Sequence, residues 1–434
     1  MTNRLMLLPF LVLFAALFRL TASAQRLDTS PISMSQDTLH LTLDSAENMF
    51  LRQNLSLLAQ RYNIDAQKAL IIQARLYANP NFTVEHGLYN TETKKFFPVG
   101  STGETSAGLS QLIYLAGKRN KQIKIAKANA RLSEYEFYDL LRTLKFTLRD
   151  DFYNIYYLQQ SAKTYEEEIR SLQVVVNAFD EQKGKGYISE KEAIRIKAQL
   201  YSLKSEYKDL LEQIEDQQSE MRLVLQVKPV YIDPLVNTES VASLSPIKYP
   251  LATLLDSAYN RRSDLMIARA NTDISKLNYN YQKALAVPDI TLNVAYDQQG
   301  SYIKNYNAAG LGIDLPVFNR NQGNIKSAKA MIDFNTATQK SAEATVEEQV
   351  FRGVQKTLAA DKLYQNIDAS FSKDFQRLMH EVLINYQKRN ITMLDFLDFY
   401  DSYKQNTLQL NTIQYSRIKA FEELNFVTGT NFFN

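Results

Sequence analysis

Asp395 and Asp398 lie three positions apart, a spacing that sets two carboxylates on one face of a helix, just after the turn-forming stretch Lys388 to Thr392. Such a pair attracts cations, or serves as the first-turn acids that a helix dipole favours. The first-half positions that correspond to them are Glu192 and Arg195, so the acid pair is not duplicated. Other groups offer less. The three histidines, His40, His86 and His380, are scattered and have no second ligand one helical turn away, so no metal site is expected. Gly184-Lys185-Gly186 lacks the spacing of a phosphate loop, and helix stands on both sides of it where a strand is needed. Glu166-Glu167-Glu168 and Glu347-Glu348 fall in mid-helix and read as solvated faces. With Cys 0 there are no disulfides, thiolate sites or cysteine nucleophiles. No nucleophile elbow and no paired dinucleotide glycines occur, so the chain reads as neither an enzyme nor a cofactor binder.

The elements that carry these residues follow from a deficit. Gly 13 and Pro 10 in 434 residues make about 5% of the chain, where an average protein carries roughly 12%. None lies between Lys118 and Lys183, none between Tyr187 and Lys228 and none between Leu251 and Val287, while Gly353 is alone between Asn324 and Thr428. Folds that turn every 10 to 20 residues or so are excluded, and very long helices remain. Hydrophobic content of 45% marks a folded chain, rich in Tyr 26 and Phe 22. Lys+Arg 50 against Asp+Glu 47 leaves no footprint for nucleic acid.

Arg4, the apolar run Leu5 to Leu20 and Ala22-Ser23-Ala24 read as a secretory signal peptide over residues 1–24. No later stretch is long and apolar enough for a spanning helix. An internal repeat organises the remainder. Ala107-Gly108-Leu109 followed by Ile123-Lys124-Ile125-Ala126-Lys127-Ala128 returns, at identical spacing, as Ala309-Gly310-Leu311 followed by Ile325-Lys326-Ser327-Ala328-Lys329-Ala330. Leu43-Asp44-Ser45-Ala46 likewise returns as Leu255-Asp256-Ser257-Ala258.

The expected order is an extended segment over 25–42, a first repeat over 43–228, a linker over 229–250 marked by Pro229, Pro234, Pro246 and Pro250, and a second repeat over 251–434. Each repeat reads as helix, strand, strand, long helix and return helix. The strands are placed at about 81–90 and 105–115, then 289–299 and 307–317; the long helices at about 118–183 and 322–388; the return helices at 189–227 and 392–427. The first long helix is a rod of roughly 99 Å, which no globular core needs, so the rods must pack on each other as coiled coils.

Ile290, Leu292, Val294 and Tyr296 alternate with Thr291, Asn293, Ala295 and Asp297, and Leu311, Ile313, Leu315 and Val317 with Gly310, Gly312, Asp314 and Pro316. Phe82, Val84 and Leu88 repeat the pattern, with His86 and Gln111 where an apolar residue is expected. Such alternation fits a half-buried soluble strand or a membrane barrel strand. The export signal, the rods and the polar loops favour the barrel. A membrane sheet must close on itself, and four strands cannot, so the chain has to oligomerise: two copies supply 8 strands and three supply 12. Twelve enclose a passage.

Taken together, the repeat, the strand pairs, Asn79-Pro80 before the first strand and Ile391-Thr392-Met393-Leu394-Asp395-Phe396-Leu397-Asp398 resemble the outer membrane factor family, whose best-known member is TolC. The resemblance covers essentially the whole mature chain, and Ser110 to Arg119 leans towards its heavy-metal-efflux branch. It implies a homotrimer with a twelve-stranded barrel in the outer membrane and a helical tunnel in the periplasm. Its partners would be a periplasmic adaptor, an inner-membrane pump of the resistance-nodulation-division type and outer membrane lipid. The function implied is the passive exit duct of a tripartite efflux system. Asp395 and Asp398 would form an acidic ring at the periplasmic aperture. Gly184, Gly186, Ile188, Ser189, Arg389, Ile391 and Thr392 would be the tips that meet the adaptor. Ile290, Leu292, Val294, Leu311, Ile313 and Leu315 would face lipid. The alternative from another class is a secreted or surface coiled-coil scaffold or adhesin.

Overall fold

The structure, a computed structural model, describes residues 37–186, 188–300, 302–368, 370–388 and 390–433. The expected signal peptide, residues 25–36 of the extended segment and Arg389 lie outside the described residues.

The chain opens with strand β1 (Thr38–Thr42) and helices α1 (Leu43–Gln53) and α2 (Leu55–Arg75). Strands β2 (Asn81–His86) and β5 (Thr105–Ile113) flank a loop that holds the small hairpin β3 (Tyr89–Asn90) and β4 (Lys95–Phe96). The rod α3 (Lys118–Gly184) and its return α4 (Glu190–Leu225) complete the first half. After β6 (Tyr231–Leu235) and the short α5 (Thr238–Ala242) the order recurs with α6 (Leu251–Arg261), α7 (Ser263–Leu285), β7 (Ile290–Asp297), β8 (Tyr306–Ile313), α8 (Gln322–Gln365), α9 (Phe371–Gln387) and α10 (Met393–Thr428).

The coiled-coil seam is visible in α4. Ile196, Leu200, Leu203, Tyr207, Leu210 and Ile214 recur at alternating steps of four and three, and they pack with Leu172, Val175 and Val176 of α3 in one core cluster. Two further clusters sit higher on the rods. One joins Phe50, Phe152, Met221 and Ile232, the other Leu254, Leu265, Val350 and Phe421.

Where α4 ends, α2 begins. Asn54 accepts from the backbone N–H of Leu57 at 3.0 Å as the N-cap of α2, and its amide donates to the carbonyl of Val224 in the last turn of α4 at 2.9 Å. One side chain thus satisfies an orphan donor of one helix and an orphan acceptor of another. In the second half Arg262, ahead of α7, donates through Nη1 to the Val427 carbonyl of α10 at 3.3 Å. There Gly429 has φ +67, and a Cβ on it would meet the backbone of Arg261 and Arg262 at 3.2 Å, so this close end-to-end approach needs glycine.

Three boundaries depart from expectation. Residues 229–250 are no plain linker: β6 pairs in parallel with β1, Leu41 opposite Pro234, and Ile232 is fully buried. Gln218 fixes β6 by accepting from the Ile232 N–H at 2.8 Å and donating to its carbonyl at 2.6 Å, a long-range clamp no local pattern announces. The second long helix is two helices. Asp368 accepts from the Ser370 N–H at 2.8 Å, the local turn an Asp offers in competition with helix. The strands are also shorter than expected. Leu315, placed on a lipid-facing strand, lies beyond the end of β8, where Pro316 cannot donate to a ladder.

Candidate functional site

The four main strands form one antiparallel sheet in the order β2-β5-β7-β8. Its register sorts the side chains, because residues directly paired across strands share a face. Ile113, Ile290 and Ile313 form one row; Phe82, Leu109, Val294 and Ala309 another; Val84, Ala107, Tyr296 and Asn307 a third. On the opposite face Asn81, Ser110, Asn293 and Gly310 align, and Glu85, Ser106, Asp297 and Tyr306. Leu311 is 70% exposed and Val294 58%, so among the described residues nothing covers the apolar face. The outer edges of β2 and β8 have no partner there either.

Both apparent exceptions have partners. Gln111, in the Leu292–Leu311 row, donates to the Ala78 carbonyl at 2.9 Å. His86, at the far end of β2, meets the Thr105 hydroxyl across the strand pair at 2.8 Å. Below the sheet, Lys118 at the start of α3 is buried and pairs with Asp289 ahead of β7 at 2.7 Å. The Asp289 carboxylate also accepts from the Leu115 N–H at 2.8 Å, tying the end of the sheet to the head of the rod.

At the other end of the rods two reversals come together. Ser189 and Thr392 head α4 and α10 with the same device, a capping box. The Ser189 hydroxyl donates to Glu192 at 2.8 Å; the Thr392 hydroxyl donates to Asp395 at 2.7 Å, and each acid also accepts from the backbone N–H of its cap residue. Asp395 therefore has a local duty, and Glu192 is its counterpart: the acid at this position is duplicated although the second one is not. Asp398 is exposed and has no hydrogen-bond or ion-pair partner among the described residues. The structure thus separates two residues that spacing alone had paired.

Ile188, Ile391 and Thr392 line a single groove of about 500 Å³ between the reversals, walled by Phe179 and Tyr386. Gly184 is the last residue of α3, and Gly186 turns the chain at φ +77 with open space around it. Spacing did not announce the contacts that bind the hairpins behind this groove. Tyr386 stacks on Phe396 with ring centroids 4.3 Å apart, the Tyr400 hydroxyl donates to the Glu168 carbonyl, and Lys404 of α10 reaches Glu206 of α4 at 2.8 Å. Burial opposes the Lys404 charge, but Glu206 and Asp401 outweigh it and hold its pKa above the ordinary lysine value.

Among the described residues no helix is long and apolar enough to cross a membrane, and no group of three or more His, Cys, Asp or Glu could hold a metal ion. What the arrangement offers is an apolar-faced sheet at one end of a rod about 100 Å long and paired hairpin tips at the other.

Comparison with known proteins agrees with that architecture. The model of the family described as outer membrane efflux protein matches residues 48–225 and 254–430, one segment in each repeat. The chain is 21% identical over 294 residues, 68% of its own length and 67% of the relative's, to the cobalt-zinc-cadmium resistance protein CzcC of Cupriavidus metallidurans. Its fold is similar to the CmeC outer membrane channel of Campylobacter jejuni, at a TM-score of 0.75 with 15% identity, covering 90% of this chain and 86% of that one. It is similar also to CusC (0.71, 16% identity, 89% and 92%) and to the MtrE outer membrane channel of Neisseria gonorrhoeae (0.69, 17% identity, 90% and 89%). CmeC and MtrE are outer membrane channels, and CusC forms a transmembrane channel. The chain belongs to the outer membrane efflux protein family, and its fold is that of the channels to which it is similar.

Proposed function

We propose that this chain forms the exit duct of a tripartite efflux system, as a homotrimer whose three four-stranded sheets close into one twelve-stranded barrel. The observation that carries the reading is the sheet itself, with one apolar face and two unpartnered edges. In hydrocarbon each unsatisfied backbone group costs several kcal/mol, so edges of this kind are stable only when other copies pair with them. Ile290, Leu292, Val294, Leu311 and Ile313 then meet lipid, and the polar rows line the passage. Leu315 follows β8 and falls at the membrane rim.

The tips Gly184, Gly186, Ile188, Ser189, Arg389, Ile391 and Thr392 are the surface offered to a periplasmic adaptor, which couples the duct to an inner-membrane pump of the resistance-nodulation-division type. Asp398, free of local partners, repeats three times around the tunnel end and with Asp395 forms an acidic ring that favours cations. Similarity to a cobalt-zinc-cadmium resistance protein supports divalent metal cations as the cargo. The duct supplies no energy; the pump does.

The test combines mass and conductance. The protein extracted in mild detergent should have three times the chain mass and insert into planar bilayers as a cation-preferring pore. Cells lacking it should accumulate zinc, cobalt or cadmium. A monomer in detergent that forms no pore overturns the reading.

A further inference from the structure

Glu168 lies in the lower part of α3, where the second hairpin packs on the first, and is 4% exposed. Its Oε2 has no hydrogen-bond partner. Beside it is a cavity of about 140 Å³ that α9 and α10 close over, with Ser171, Gln376 and Leu383 in its wall. The charged and titratable groups around it are Glu167 on α3, His380 on α9, and Tyr400, Asp401, Tyr403 and Lys404 on α10. The one cation in this set is already engaged: Lys404 holds Glu206 of α4 at 2.8 Å and Asp401 at 3.1 Å.

A buried carboxyl with one unshared oxygen and no cation of its own is tolerated as the neutral acid and opposed as the anion. We propose that Glu168 is a proton-operated latch between the two hairpins: protonated, it lets α9 and α10 close on α3, and ionised, it draws water into the cavity and loosens them. The break between Gln365 and Phe371 separates α9 from α8, so α9 can shift without bending the rod above it. Burial pushes this carboxyl up to about 8, against the pull of the Tyr400 hydroxyl and of Lys404, while Asp401 and Glu167 push the same way as burial. A group bound more tightly to its proton when packed favours packing in full below its ordinary value. That preference is lost by about tenfold per pH unit as the pH rises towards the packed-state value. The latch rests on the duct reading only for its consequence, a tunnel end that tightens in acid.

Hydrogen exchange of the full-length protein in detergent tests it, at about pH 5.5 and about pH 7.5 and corrected for the intrinsic rate. Opening of α9 and of the first turns of α10 should rise on the order of 100-fold between the two. Glu168→Gln should hold the acid-state protection at both values, and Glu168→Met provides a second neutral filler should Gln fold poorly. Glu167→Gln, on an exposed neighbour, and His380→Gln should keep the wild-type response. Protection that is equal at both pH values, a response that survives in both Glu168 variants, or one that vanishes in His380→Gln overturns the latch. No conductance enters the readout, so failure of the duct reading is scored separately.

Discussion

The side-chain amide of Asn54 donates to the carbonyl of Val224 at 2.9 Å, across 170 positions of sequence. Through this contact α4 and α2 run end to end, and Arg262 with Val427 does the same for α10 and α7. The stacked helices are therefore longer together than either return helix alone, without a spanning chain to make them so. Asn54→Ala removes both the cap of α2 and the seal on α4, at a cost of roughly 2 kcal/mol. Asn54→Asp keeps the acceptor and loses the donor, and should fall between. Thermal unfolding of the detergent-solubilised protein followed by circular dichroism ranks the three; an Asn54→Ala midpoint equal to wild type removes the seal from the account.

The sheet register makes a paired prediction. Val294 and Asn293 are neighbours in sequence on opposite faces of β7. Val294→Lys puts a charge against lipid, at about 2 to 4 kcal/mol if it lies near the midplane, whereas Asn293→Lys faces water. Assembly into heat-resistant oligomers in outer membranes should collapse for Val294→Lys and persist for Asn293→Lys. Equal loss in both refutes the assignment of faces.

Capping separates the two tip aspartates. Thr392→Ala and Asp395→Asn each weaken the start of α10 by about 1 kcal/mol, which melting resolves. Asp398→Asn touches no cap and should leave the melting midpoint unchanged while lowering the cation preference of the pore. A destabilised Asp398→Asn protein assigns that carboxylate a structural partner.

Asp151 supplies the pH test. It is 4% exposed and its Oδ2 has no partner. Burial, with Glu220 and Asp150 adding and Lys419 opposing, pushes its carboxyl up to about 8 from an ordinary value near 3.8. A folded-state value raised in an acid means that stability is greatest below the ordinary value and falls as pH climbs towards 8. Asp151→Asn should remove that share of the slope and be more stable than wild type at neutral pH, by on the order of 2 kcal/mol. Denaturant midpoints across this range decide it, and parallel curves for the two proteins sink the prediction.

Much of this architecture was legible in the chain because it rests on local or periodic signals. Scarce Gly and Pro announced the rods, period-two alternation announced β7 and β8, and two copies of one pattern announced the repeat. Those signals act through neighbours in sequence, so they survive without a fold. The remainder was decided by contacts between residues far apart. Gln218 clamps Ile232 and turns an apparent linker into a strand. Asp395 and Asp398, alike by spacing, part company because the Thr392 hydroxyl faces only the first. Glu168 read as one of three solvated acids in a row, and packing of α9 and α10 buried it while Glu166 and Glu167 stayed in water. Charge and periodicity are properties of the chain; desolvation belongs to whatever the tertiary structure lays on top of it.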